Sequence, residues 1–295
     1  MVFLVHYGQT FGNPILTQFG QMGCQLFIFA SGYACCFSLQ RSGTAQNFYK
    51  KRFISIGPGF YTALIVVVIA NLLFSRQFGR PFVGVGNTQP VSILCNIALI
   101  NGVLPFCNNS VFPGGWFIGT IWLLYIIHPF ISKLYENAKI KWVPTIILTF
   151  LGMVITIVLN YLFKGSIAVE NNSFEYFLFT NQLSCYLLGI NLYYLRKDSV
   201  ESSLWIAFGL SFIFLIATIF TFYSGMDFQY LLVCPLMGCF ALCFFLALSK
   251  FMDNNKNRLI TYIGEHSFYI SHAYFSCVDN CRGFEEGHLY KVGNH

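Results

Sequence analysis

Apolar residues run along this chain in long blocks separated by short polar stretches. A helix of roughly 20 apolar residues crosses the hydrocarbon of a bilayer. Blocks near that length lie at 22–39, 53–74, 116–135, 143–163, 174–195, 203–223, 229–252 and 259–278. A shorter block at 91–106, VSILCNIALINGVLPF, carries Asn96, Asn101 and Gly102 and reads as re-entrant or interfacial. The opening MVFLVHY reads as the last turns of another helix. The pattern predicts an all-α fold, a polytopic transmembrane helical bundle of about eight full spans. A partial first helix and one short helix that returns to its own side complete it. Residues 1–278 then form one membrane domain, and 279–295 a polar tail.

Composition sharpens this picture. Hydrophobic residues make up 56% of the chain and charged residues only 9%, whereas a soluble domain is about a quarter charged. A soluble fold is excluded. The basic start of a cleavable secretory leader is missing, so none is expected. Nine of the eleven cysteines fall inside apolar blocks, where a thiol behaves as a small hydrophobe. Cys107 and Cys281 sit near block ends without zinc-ligand spacing. Packing is the expected role of the cysteines, and no metal is expected.

The distribution of charge gives an orientation. With 91–106 returning to its own side, one set of loops holds Arg41, Lys50, Lys51, Arg52, Lys133, Lys139, Lys141, Arg196, Lys197, Lys250, Lys256 and Arg258. The other set holds Arg76, Arg80 and Lys164, and the tail Arg282 and Lys291. The positive-inside rule places the larger set in the cytoplasm. Were 91–106 a full crossing, the four basic residues of loop 40–52 would oppose the rest and the bias would mostly vanish.

Ionisable groups within spans are costly and by default suggest function. His6 closes the opening run, His128 precedes Pro129, and Glu265, His266 and His272 belong to the last block. The ordinary role of such a histidine is a neutral, hydrogen-bonded, structural one. Its other role is general base, because its unperturbed pKa is near ~6.5. Lys50, Lys51 and Arg52 stand before the span FISIGPGFYTALIVVV. Alone they are an ordinary topogenic anchor, but three cations there also suit the phosphates of a nucleotide-like donor. Trp116 is explained as well by an interfacial aromatic belt as by ligand contact.

Taken in order, five segments resemble the acyltransferase-3 family of integral-membrane O-acyltransferases. They are His6 in LVHYG, GQMGCQLFIFASGY at 20–33, KKRFISIGPGFY at 50–61, the helix with Trp116, Tyr125 and Pro129, and YIGEHSFYI at 262–270. Ser55 stands at a basic position of the family pattern and Ile121 at its acidic one. The family's first-span Arg is absent, and the sequence turns polar after Phe275, so a clipped enzyme is the expectation.

The resemblance implies transfer of an acyl group, most often acetyl, from acyl-CoA as co-substrate to a hydroxyl of a cell-surface or exported polysaccharide or glycoconjugate. It implies His6 as the catalytic base, Lys50, Lys51 and Arg52 on the CoA phosphates, and Trp116 and Tyr125 along the acceptor cavity. Glu265 and His272 are the expected further substrate-side groups. The expected partners are the lipid bilayer, acyl-CoA and a carbohydrate or glycolipid acceptor, with no nucleic acid. The expected location is the inner or plasma membrane. The rival functions are a transporter or flippase for a glycolipid or small solute, built on broken helices and buried polar groups, and an inactive acyltransferase remnant.

Overall fold

The computed structural model describes residues 14–79, 89–104, 107–108, 110–111, 114–163, 174–197, 203–224 and 229–252. These are helical, with no strand among the described residues. The elements are α1 (Pro14–Ser42), α2 (Ala45–Phe78), α3 (Pro90–Ile97), α4 (Gly115–Asn137), α5 (Trp142–Leu162), α6 (Phe174–Phe177), α7 (Phe179–Lys197), α8 (Leu204–Tyr223) and α9 (Gln229–Met252). Six helices among the described residues are long and apolar enough to cross a membrane: α1, α2, α4, α5, α8 and α9. The predicted span 259–278 and the partial first helix lie outside the described residues. Two compact units are present, 24–247 and 1–23 with 248–295. Of the second, the described parts are the first turns of α1 and the last turn of α9. The packed bundle belongs to 24–247.

Helix α2 starts earlier than the apolar block suggests. The Thr44 hydroxyl accepts from Asn47 N at 3.3 Å, a cap that draws the basic run into the helix. At 34 residues α2 is about 51 Å long, more than the ~30 Å of hydrocarbon, so its first turns project beyond it. It closes on Gly79, whose φ of 67° is left-handed and whose N–H donates to Ser75 O at 3.0 Å.

Contacts fix the helix directions. Between α4 and α7, His128 meets Tyr186 and Tyr135 stacks on Tyr194, and Thr120 bonds Phe177 O at the end of α6 just before α7, so α4 and α7 run the same way. Helix α1 follows them, because Gly32 lies against Tyr186 while Tyr193 Oη donates to Gln40 Oε1 at 3.0 Å. Helix α9 also follows, through Asn181 with Tyr230 O and Cys185 with Cys234 O. Helix α5 runs opposite, pairing Thr145 with Asn191 and Thr156 with Thr180. Helix α2 opposes α4: Tyr49 Oη donates to Ile126 O at 2.9 Å, while Phe60 and Leu64 pack near Ile118 and Trp122.

Because α2 and α4 are antiparallel, the chain between them returns to the end it left, as the charge count expects. Within it only Pro90–Ile97 is a helix of any length among the described residues. Asn101 Nδ2 then ties the stretch to α4 by donating to Gly115 O at 2.6 Å. The same directions gather Arg41, Lys50, Lys51, Arg52, Lys133, Lys139, Lys141, Arg196 and Lys197 at one end, with Arg76 toward the other.

The predicted span 174–195 is two pieces. The helix breaks at Leu178, and Phe179 N donates to Gly102 O at 3.2 Å. Beyond the break, every residue from Thr180 to Tyr194 is buried.

Candidate active site

Helix α4 sets the frame. Trp116, Gly119, Thr120, Leu124, Tyr125, His128, Ile131, Ser132 and Tyr135 are buried at three- and four-residue intervals, one continuous inward stripe. Trp116 and Tyr125 are nine residues apart, about 13 Å along the axis. They belong to different surroundings. Trp116 sits at the end away from the basic residues, its ring 5.5 Å from Tyr176 and 5.0 Å from Phe177. Tyr125 sits toward the basic end, beside Arg52.

The basic run divides. Lys50 and Lys51 are exposed, while Arg52 turns inward. Its guanidinium carbon lies 5.6 Å from the Phe48 ring and 5.1 Å from the Tyr125 ring, and Nη2 donates to Ala34 O at 3.4 Å. The spacing permits this, since Phe48 and Arg52 are four residues apart and share a helix face. A guanidinium between two aromatic faces gains cation–π attraction that a desolvated setting strengthens.

Behind that pair lies a histidine. Phe48 stacks on His128, with centroids 5.4 Å apart and planes at 26°. His128 is wholly buried, and its Nδ1 is 2.9 Å from the Tyr186 hydroxyl. Its Nε2 and the Arg52 Nε have no hydrogen-bond partner among the described residues. Ser31 and Cys35 from α1 close the group, Ser31 beside the Tyr125 hydroxyl and Cys35 beside that of Tyr186. An imidazole held at one nitrogen by a phenol, with the Cys35 backbone near the ring, has the fixed orientation a general acid or base needs.

The sequence-predicted residues are therefore distributed as follows. Arg52 and Tyr125 are brought together. Lys50 and Lys51 stand at the same end but face outward. Trp116 belongs to a separate aromatic group. His6, Glu265 and His272 lie outside the described residues. Ile121, at the family's acidic position, is buried in the apolar core, and Ser55 is exposed. Sequence reasoning singled out His128 as an intramembrane histidine without giving it a site role; Phe48 and Tyr186 carried no signal apart from the four-residue step between Phe48 and Arg52. The described cysteines are all free thiols. Among the described residues no group of three or more His, Cys, Asp or Glu is placed to hold a metal ion.

The acyltransferase-3 family model, described as an acyltransferase domain, matches residues 1–273. No curated protein and no solved structure matches the chain.

Proposed function

Since the chain belongs to the acyltransferase-3 family of membrane acyltransferases, we propose that it moves an acyl group, acetyl in the first instance, from acyl-CoA to a hydroxyl of a cell-surface or exported polysaccharide or glycoconjugate. The observation that carries this reading is the basic end of the bundle. Exposed Lys50 and Lys51 offer their side chains to the CoA phosphates. Arg52, drawn in over Phe48 and Tyr125, begins a polar path toward His128 and Tyr186. A donor held by its phosphates at that mouth would extend its thioester inward along the same path.

The chemistry needs one proton transfer in each direction. The acceptor hydroxyl loses its proton to an imidazole, and its oxygen attacks the thioester carbonyl carbon. The C–S bond then breaks, and the thiolate of CoA takes the proton from the imidazolium. In the family pattern His6 holds the base position, and Glu265 and His272 of the last apolar block are further substrate-side groups in this reading. Trp116 and Tyr125 line the acceptor's route. The expected setting is a multi-pass protein of the inner or plasma membrane, with the basic end in the cytoplasm.

Acyl transfer measured on the protein in lipid nanodiscs tests this. His6→Ala should abolish transfer by a protein that still inserts, a loss of roughly 10²–10⁴-fold for a general base. Lys50→Gln with Lys51→Gln should raise KM for acyl-CoA and leave kcat nearly unchanged. Arg52→Gln should lower kcat, because its guanidinium is part of the interior. An unchanged KM in the double variant would return the two lysines to a purely topogenic role, and retained transfer in His6→Ala would remove that residue from the reaction.

A further inference from the structure

Between α2 and α4 the chain turns back at the end of the bundle away from the basic residues, and two cysteines bracket that turn. Cys95 lies in the last turn of α3, and Cys107 follows twelve residues later, after the irregular stretch. Both are buried, at 6% and 0% exposure, and both are free thiols in the structure. The Cys107 thiol lies beside that of Cys95.

Hydrogen bonds bring the two together without help from the thiols. Asn96, next in the chain to Cys95, donates from Nδ2 to Ser110 Oγ at 3.4 Å, and Ser110 Oγ donates to Cys107 O at 3.1 Å. Asn101 Nδ2 donates to Asn96 Oδ1 at 3.2 Å, and Ile100 N to Cys95 O at 3.0 Å. A disulfide asks for two sulfurs that meet with little backbone movement, and this network supplies the approach. The other described thiols lie on the long helices α1, α7 and α9. There Cys36 Sγ donates to Gly32 O at 3.5 Å and Cys185 Sγ to Cys234 O at 2.8 Å.

The residues between Cys95 and Cys107 fix two other elements. Asn101 bonds Gly115 O at the start of α4, and Phe179 N bonds Gly102 O at the break before α7. A Cβ on Gly102 would come within 2.6 Å of Thr120 Oγ1. Leu99, at φ 57°, holds a left-handed backbone that leucine rarely adopts, and it packs with Phe60, Leu64 and Val111. An irregular segment with a strained residue opens more readily than a helix. A covalent link across its ends restrains it.

With the basic end in the cytoplasm, as proposed above, this end belongs to the opposite compartment. Disulfides form and persist on that side of the membrane. We propose that Cys95 and Cys107 are joined there as a disulfide, a covalent clasp on the segment that returns to its own side. The oxidant is itself a disulfide. One cysteine thiolate attacks a sulfur of that oxidant, whose other sulfur leaves as a thiolate. The second cysteine thiolate attacks the mixed disulfide, the Cys95–Cys107 S–S bond forms, and the oxidant's remaining sulfur leaves. Two electrons pass to the oxidant, and the two thiol protons end on its sulfurs. Because both sulfurs are buried once the segment has packed, the exchange precedes that packing and the finished bond is shielded from reductants.

Differential alkylation of the full chain in its own membrane tests this. The membrane is dissolved in denaturing detergent with N-ethylmaleimide, then reduced and treated with deuterated N-ethylmaleimide, and peptides are read by mass spectrometry. The deuterated label is expected on both Cys95 and Cys107, and the ordinary label on Cys36 and Cys185. In lipid nanodiscs, reduction in mild denaturant should lower the melting temperature of the wild type by about 5 °C or more. The same treatment should leave Cys95→Ala with Cys107→Ala unmoved; if that variant does not fold, the labels on the wild type decide. Ordinary label on both cysteines overturns the proposal, and deuterated label on only one does so by giving it a different partner. Oxidised glutathione added to the purified protein separates the causes of two free thiols. Closure would put this end of the bundle in a reducing compartment and overturn the orientation as well, whereas no closure would put the fault in the placement of the thiols alone.

Discussion

Helices α7 and α8 follow each other in the chain with 19 and 20 residues, yet their surroundings are opposite. Helix α7 carries Thr180, Asn181, Gln182, Ser184 and Asn191, and all are buried. Helix α8 is almost wholly apolar and lies largely exposed, Trp205 at 81% and Phe220 at 71%. A water-soluble protein would reverse the two. Lipid rewards no burial of apolar surface, so the interior is assembled by close packing and by polar pairs.

The glycines show the same contrast. A Cβ on Gly189 would strike Phe29 O of α1, one on Gly32 would strike Tyr186 O, and one on Gly152 would come within 2.5 Å of Thr180 O. Gly238 of α9 faces Leu188 and Cys185. Three neighbouring helices thus bring backbone against α7 through a missing side chain. Around Gly209 of α8 nothing among the described residues lies within 4 Å. Helix α7 is the axis on which the others close, and α8 is their lipid-facing cover.

The strongest way to break this contrast is to put the same residue at both glycines. Gly189→Leu should cost roughly 4 kcal/mol or more and leave little folded protein. Gly209→Leu should elute in fluorescence-detected size exclusion as the wild type does. Equal damage from both would end the idea of a central and a peripheral helix. Tyr186→Phe should come next in effect: it releases His128 Nδ1 and should lower acyl transfer by about tenfold or more with the melting temperature nearly retained. A variant as active as the wild type would make that pair structural.

Smaller effects sharpen the same picture. Thr156→Val removes the 2.7 Å hydroxyl contact with Thr180 and should cost about 0.5–1.5 kcal/mol. A double-mutant cycle with Thr180→Val isolates that coupling, and a coupling of zero would show the pair to be incidental. Trp205→Ala should fall within about 0.5 kcal/mol of the wild type in thermal melts.

Much of the fold was legible because length and apolarity are local properties. The blocks at 116–135, 143–163 and 203–223 became α4, α5 and α8 within a residue or two. The return of 91–106 to its own side was legible in the charges. What could not be read was which apolar residues meet. Phe48 and His128 are eighty positions apart, and no periodicity links them. Tyr186 in an apolar run looks like any aromatic that faces lipid. The division of Lys50, Lys51 and Arg52 was not within reach, since Lys51 and Arg52, three and four residues after Phe48, both share its helix face.

The polarity of α7 also bears on how the protein is made. A segment with Asn181, Gln182 and Asn191 among its nineteen residues partitions poorly from the translocon on its own merits. Its entry into the bilayer is then a cooperative event, licensed by the earlier helices already waiting with Gly32 and Gly152 bare. Biogenesis follows the order of the chain: the sockets are synthesised first and the plug afterwards.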